Sequence, residues 1–147
     1  MALAPSGAPV GGHAPEEWRS VAKQLQAGQA PASRTCTAVL GSCGRRCLWP
    51  AALALVDLAR ERHVPLDVFG YSAAISACSR GEQWSAALGL LAEMQDLAVE
   101  PGTVAFSAAI SACGHGHWAT ALELLAVMGR TRVEANVITF SAAISAC

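Results

Sequence analysis

"FSAAISAC" stands at 106–113 and again at 140–147, and "YSAAISAC" stands at 71–78. The starts lie 35 and 34 residues apart. Eight residues this bland hold no catalytic motif, so their recurrence speaks of architecture. Self-similarity at a period of this order marks a stack of small supersecondary units. One period earlier, "CTAVLGSC" (36–43) is a worn copy, with Leu40 in the column of Ile75 and Ile110 and Cys43 in that of Cys78, Cys113 and Cys147. The second half of each unit repeats too: "WPAALALV" (49–56), "WSAALGLL" (84–91) and "WATALELL" (118–125) align column for column. The units are 33–67, 68–102, 103–136 and a broken 137–147.

Within a unit, Tyr71, Ile75 and Cys78 fall at i, i+4 and i+7, the one-sided pattern of a short helix. A Gly-containing break follows, "SRGEQ" or "GHGH", where the chain can turn. Trp84, Leu88, Leu91 and Met94 then run along one face of a second helix, which Pro101 stops. Pro50 suits a helix start, where its missing N–H costs nothing. Trp49, Trp84 and Trp118, at the heads of these second helices, are expected to be largely buried. A hairpin this small cannot cover its own apolar faces, and stacked copies cover one another. The fold class is therefore all-α, an α-solenoid of helical hairpins.

Ahead of the clear units, "PEEWRSVAKQLQ" (15–26) reads as the second helix of a degenerate cap repeat within 15–32. Trp18 and Val21 fall in the columns of Leu53 and Val56. Residues 1–14 have neither the basic and apolar regions of a secretory signal nor the amphipathic character of a transit peptide. They read as a disordered tail. At the other end, Cys147 closes a first helix with no second, as expected for a piece of a longer array.

Composition narrows the function. The chain has 147 residues, 53% of them hydrophobic, with mean hydropathy +0.37, ample for one core. Its longest apolar run, "AALALV" (51–56), is far too short to span a membrane. Net charge is −1, so no global field draws polyanions. Two clusters invite a zinc reading: "CGHGH", with Cys113, His115 and His117, and "CGRRC", with Cys43 and Cys47. A structural zinc site wants paired clusters of recognised spacing, and neither has a mate. Asp57, Glu61 and His63 lie close in sequence but form no nucleophile–base arrangement. No metal, cofactor, small-molecule substrate, membrane or catalytic role is expected.

Two hairpin families share this length. The tetratricopeptide unit carries Trp, Leu-Gly and Tyr in its first helix, which this octet lacks. Here the first helix opens as in "NVITFSAAISAC", the second carries "AALGLLAEM", and the unit closes on "VEPG". This resembles the pentatricopeptide repeat, over residues 33–147. The 34-residue third unit departs by one residue in its inter-helix turn.

The resemblance implies binding of single-stranded RNA, one base per repeat, read by two or three side chains. It places the readers at the residue after the first-helix aromatic and at the last residue of the unit. Here these pairs are Thr37 with Asp67, Ser72 with Gly102, and Ser107 with Asn136. Ser141 begins a pair that its unit does not complete. Hydroxyl plus Asp resembles a guanine reader and hydroxyl plus Asn an adenine reader, while Gly102 is permissive. With the family's parallel alignment, the order is G, any base, A. The residue two before the aromatic wedges between bases: Phe69, Val104 and Ile138, with Arg34 departing from the pattern. Arg45, Arg80 and His115 would lie near phosphates. The implied setting is processing, stability or translation of organellar transcripts, in chloroplast or mitochondrion, by a monomer. A scaffold that takes a protein in its groove is the alternative, favoured by the low charge and by Gly102.

Overall fold

The computed structural model describes residues 16–29, 33–46, 48–114 and 116–146. The expected tail (1–14) and Cys47, His115 and Cys147 lie outside the described residues. Those that are described form eight helices and no strand: α1 (Glu16–Gln26), α2 (Ser33–Arg45), α3 (Trp49–Glu61), α4 (Val68–Arg80), α5 (Trp84–Asp96), α6 (Thr103–Cys113), α7 (Trp118–Arg130) and α8 (Val137–Ala146). None is long and apolar enough to cross a membrane.

Local chemistry sets the helix limits. Asp67 precedes α4 with extended backbone and accepts from the Gly70 amide at 2.9 Å, satisfying one of the first-turn donors. Pro50 sits in the first turn of α3. The second helices end alike, in one residue with left-handed backbone: Gly28 (φ 79°), His63 (56°), Ala98 (59°) and Arg132 (59°). The following amide then bonds five residues back, Val64 to Ala59, Val99 to Met94 and Val133 to Met128. This is the Schellman closure, and its apolar residue folds back on the helix. The repeat is thus written in the backbone as well as in the octet.

The first helices stack directly, α2 on α4 on α6 on α8, whereas α3, α5 and α7 stand further from one another. Small residues permit the close approach. A Cβ on Gly44 of α2 would come within 3.3 Å of the Ala73 carbonyl of α4, and Ala74, Ala77, Ala105 and Ala109 are all buried. A stack tighter on its first-helix side bends toward that side, which becomes concave. Leu40, Ile75 and Ile110 form the central column of the core and are wholly buried, each contributing roughly 1.5–3 kcal/mol. At the N-terminal end α1 packs on α3, with Trp18 donating to the Ala51 carbonyl at 2.8 Å. Cys43, Cys78 and Cys113 are buried thiols. Burial pushes Cys78 up to about 11, so its thiolate is scarce at neutral pH.

Two sequence expectations are corrected. The buried face of α5 is Ala87, Leu90, Leu91 and Met94, with Leu88 half-buried and Trp84 exposed. A hairpin helix inside a stack meets neighbours on two sides, so its core face is centred between them and not on the widest side chains. The tryptophans are not core residues either: Trp49 is half-buried, and Trp84 and Trp118 are exposed. Trp49 and Trp84 project from helix starts over the inter-helix turn of the next hairpin. Trp49 lies against Gly81, where an added Cβ would clash with its ring, and the Trp84 ring packs on His117 at 4.2 Å.

Candidate functional site

The concave side is built from one face of each first helix. On α4 this face carries Phe69, Ser72, Ser76 and Arg80. On α6 it carries Val104, Ser107 and Ser111, and on α8 Ile138, Ser141 and Ser145. Helical geometry puts residues three or four apart on one side, so each helix offers an apolar tip, then hydroxyls.

Phe69, Val104 and Ile138 are 69%, 64% and 65% exposed. Single exposed hydrophobics need no explanation, but three in one column at the repeat spacing form an apolar ladder facing solvent. Arg34, in the same column of the first unit, is also exposed.

Between these rungs lie the residues expected to act in pairs. Asp67 and Gly102 stand at the N-caps of α4 and α6, and Asn136 plays that part for α8, accepting from the Thr139 amide at 2.9 Å. The cap of one unit thereby meets the first helix of the unit before it. Thr37 Oγ1 donates to Asp67 Oδ1 at 3.1 Å, so the first pair is joined directly. The third is joined through a bridge, with Ser107 Oγ and Thr139 Oγ1 2.6 Å apart and Thr139 Oγ1 2.9 Å from Asn136 Oδ1. The second is not joined: Gly102 has no side chain, and a Cβ there would meet open space. Ser72 and Ser107 are 8% and 7% exposed, Thr37 is half-buried, and Ser141 is exposed.

A groove of about 410 Å³ collects the parts for one unit: Val104 and Ile138, Ser107 and Asn136, and Arg80, with Ser76 and Ser111 between them. Arg45 and Arg80 are exposed, the Arg80 guanidinium 3.5 Å from the Arg45 carbonyl. Both stand at the C-terminal ends of their helices, where cations are favoured by the helix dipole. His115 lies outside the described residues.

Sequence reasoning missed Thr139 and the Ser76, Ser111 and Ser145 row. The row was legible, four residues after each first reader. Thr139 was not, because its column runs Thr35, Gly70, Ala105 and Thr139 and so has no constant chemistry. On the opposite side of the hairpins, Arg60 of α3 grips the Glu93 carboxylate of α5 with two N–H groups and pairs with Asp57 at 2.9 Å. Tyr71 Oη joins Glu93 at 3.3 Å. Burial first, and then the Glu93 charge, push the Tyr71 phenol up to about 12. This cluster ties one unit to the next. Being partly solvated, each exposed ion pair in it contributes little, ~0.2–1 kcal/mol.

A family model described as the pentatricopeptide repeat domain matches residues 54–116. Among solved structures, the chain is similar to the pentatricopeptide repeat protein PPR10 in complex with an 18-nt psaJ RNA element, at 27% identity and a TM-score of 0.74 over 97% of this chain. A cysteine-to-serine variant of that protein with the same RNA element matches equally well. The chain spans 21% of the length of either. No curated protein matches it.

Proposed function

We propose that the concave face of this chain, which matches the pentatricopeptide repeat domain over residues 54–116 and is similar in structure to PPR10, binds single-stranded RNA, one base per unit, without catalysing a reaction. The observation that carries this reading is the groove in which Val104, Ile138, Ser107, Asn136 and Arg80 meet. On this reading a base stacks between its two exposed apolar tips, and its polar pair meets the Watson–Crick edge of that base. Arg80 stands at the rim, in reach of a phosphate. PPR10, the neighbour of known structure, is itself bound to RNA.

The three units read in the order G, any base, A. Asp67 Oδ1 is taken by Gly70 and Thr37, and Oδ2 is left to accept from the imino and amino hydrogens of guanine. Unit 2 has no second reader. Stacking is worth ~1–3 kcal/mol per base, so three bases give weak binding. Its salt slope is shallow, at most about −2 for three basic contacts. The family places such binding in the processing, stability or translation of organellar transcripts.

The test is titration of the 147-residue chain with single-stranded RNA, and with duplex RNA as a control, at low salt. Single-stranded RNA should shift backbone signals of the α4, α6 and α8 inner faces, and Phe69→Ser combined with Val104→Ser should abolish this without loss of helix. Absence of binding here, and in an array lengthened by copies of 68–136, would leave the alternative of a protein scaffold, which the low charge and the vacant Gly102 position favour.

A further inference from the structure

Thr139 is wholly buried, is polar, and stands in the column of Gly70 and Ala105, the residues that follow the caps Asp67 and Gly102 by three; Thr35, in the same column of the first unit, is exposed. We propose that Thr139 is a specificity-determining residue, setting the hydrogen-bond polarity of the third unit so that it selects amino bases (adenine, cytosine) over keto bases (guanine, uracil). The proposal rests on the RNA-binding reading above.

The argument follows the protons. The Thr139 amide can only donate, so the atom of Asn136 it bonds at 2.9 Å is the carbonyl oxygen Oδ1, and the amide orientation is settled. That oxygen cannot donate, so the hydroxyl proton of Thr139 must lie on the 2.9 Å contact to Oδ1. A hydroxyl has one proton. The 2.6 Å contact between Thr139 and Ser107 is therefore made with the proton of Ser107. Both lone pairs of the Asn136 carbonyl are then occupied. What remains toward the groove is fixed in sense: Asn136 offers Nδ2–H donors, and Ser107 offers oxygen lone pairs.

The Watson–Crick edges of the bases divide along the same line. Adenine and cytosine present an exocyclic amino donor beside an unprotonated ring nitrogen. Guanine and uracil present a carbonyl acceptor beside a ring N–H. An acceptor at Ser107 next to a donor at Asn136 complements the first pair and sets donor against donor in the second. Unit 1 differs because Gly70 supplies no hydroxyl: there Thr37 donates straight to the carboxylate, which stays an acceptor and keeps its bias to guanine. The same cap position thus gives opposite polarity according to the residue three places on.

The test uses the whole 147-residue chain, isotope-labelled, titrated with short single-stranded RNAs that differ only in the base facing the third unit. The Asn136 side-chain amide and Thr139 backbone signals report binding at that unit. The expected result is about five-fold tighter binding of amino over keto bases, the worth of one matched hydrogen bond. Thr139→Val, which keeps the shape and removes the hydroxyl, should cut that ratio to roughly two or less, and Thr139→Ser should restore it. Circular dichroism shows that each variant is folded. An unchanged ratio in Thr139→Val, or a ratio lost in Thr139→Ser as well, overturns the role of Thr139 while RNA binding stands. RNA that shifts no inner-face signal in the parent chain overturns the RNA-binding reading and this inference with it.

Discussion

Glycine substituted for alanine normally weakens a helical protein, and in this one it should do the reverse at Ala98. That residue follows α5 with φ 59°, in the left-handed region, where its amide and that of Val99 close the Schellman turn onto Gln95 and Met94. An L-residue there costs roughly 1–2 kcal/mol from contact of its Cβ with the backbone. Glycine removes that cost but widens the unfolded ensemble by about 0.4–1 kcal/mol. The Ala98 methyl is exposed, so its loss takes nothing from the core. Ala98→Gly should therefore stabilise by about 0.5–1 kcal/mol. His63 and Arg132 hold the same position and conformation. Glycine at all three should yield about 2 kcal/mol, since sites a whole repeat apart add. The assay is urea denaturation followed by circular dichroism, with the slope m unchanged. Ala92→Gly, on the exposed side of α5, is the control and should destabilise by about 1 kcal/mol. If Ala98→Gly destabilises as Ala92→Gly does, the repeated left-handed closure is wrong.

Leu91→Asp places an unpaired charge in the core between hairpins and should cost about 3 kcal/mol or more; Leu122→Asp, at an exposed site, should stay within roughly 0.5 kcal/mol in the same denaturation assay. Gly102→Asp adds an N-cap to α6, which now lacks a side-chain cap bond; it should raise stability by a few tenths of a kcal/mol and give the permissive second unit a preference for guanine, read in the RNA titration. The Tyr71 phenol, pushed up to about 12 from an ordinary value of 10, stays protonated in the folded chain after the unfolded chain has lost its proton. Its contribution is complete below about pH 10 and is lost as pH rises from there to about 12, so Tyr71→Phe should flatten the fall in stability over that window, measured by urea midpoints.

The residues missed by sequence reasoning share a cause. Ser76, Ser111 and Ser145 were visible as a column but carry no signal beyond small size, which close helix packing equally requires. Thr139 lies in a column that varies from Thr35 through Gly70 and Ala105, and a period-based reading discounts such variation as wear. The face of α5 was misjudged because Trp84 weighs heavily in any apolar pattern, yet a large side chain at a helix start can cover a neighbouring turn while remaining half in solvent. Leu91 and Met94, deeper in the helix, were placed correctly.

By itself the sequence determined the period, the two helices of each unit, the stacking column of Leu40, Ile75 and Ile110 and the resemblance to pentatricopeptide repeats. These depend on spacing along the chain, and helical periodicity turns spacing directly into faces. Tertiary structure alone decided that Trp49 and Trp84 cover turns of the next hairpin, that His63, Ala98 and Arg132 share one strained closure, and that Thr139 joins Ser107 to Asn136. Such features belong to groups brought together from neighbouring units, where the direction of a hydrogen bond is set by the partner that cannot donate. Spacing along one helix does not carry that information.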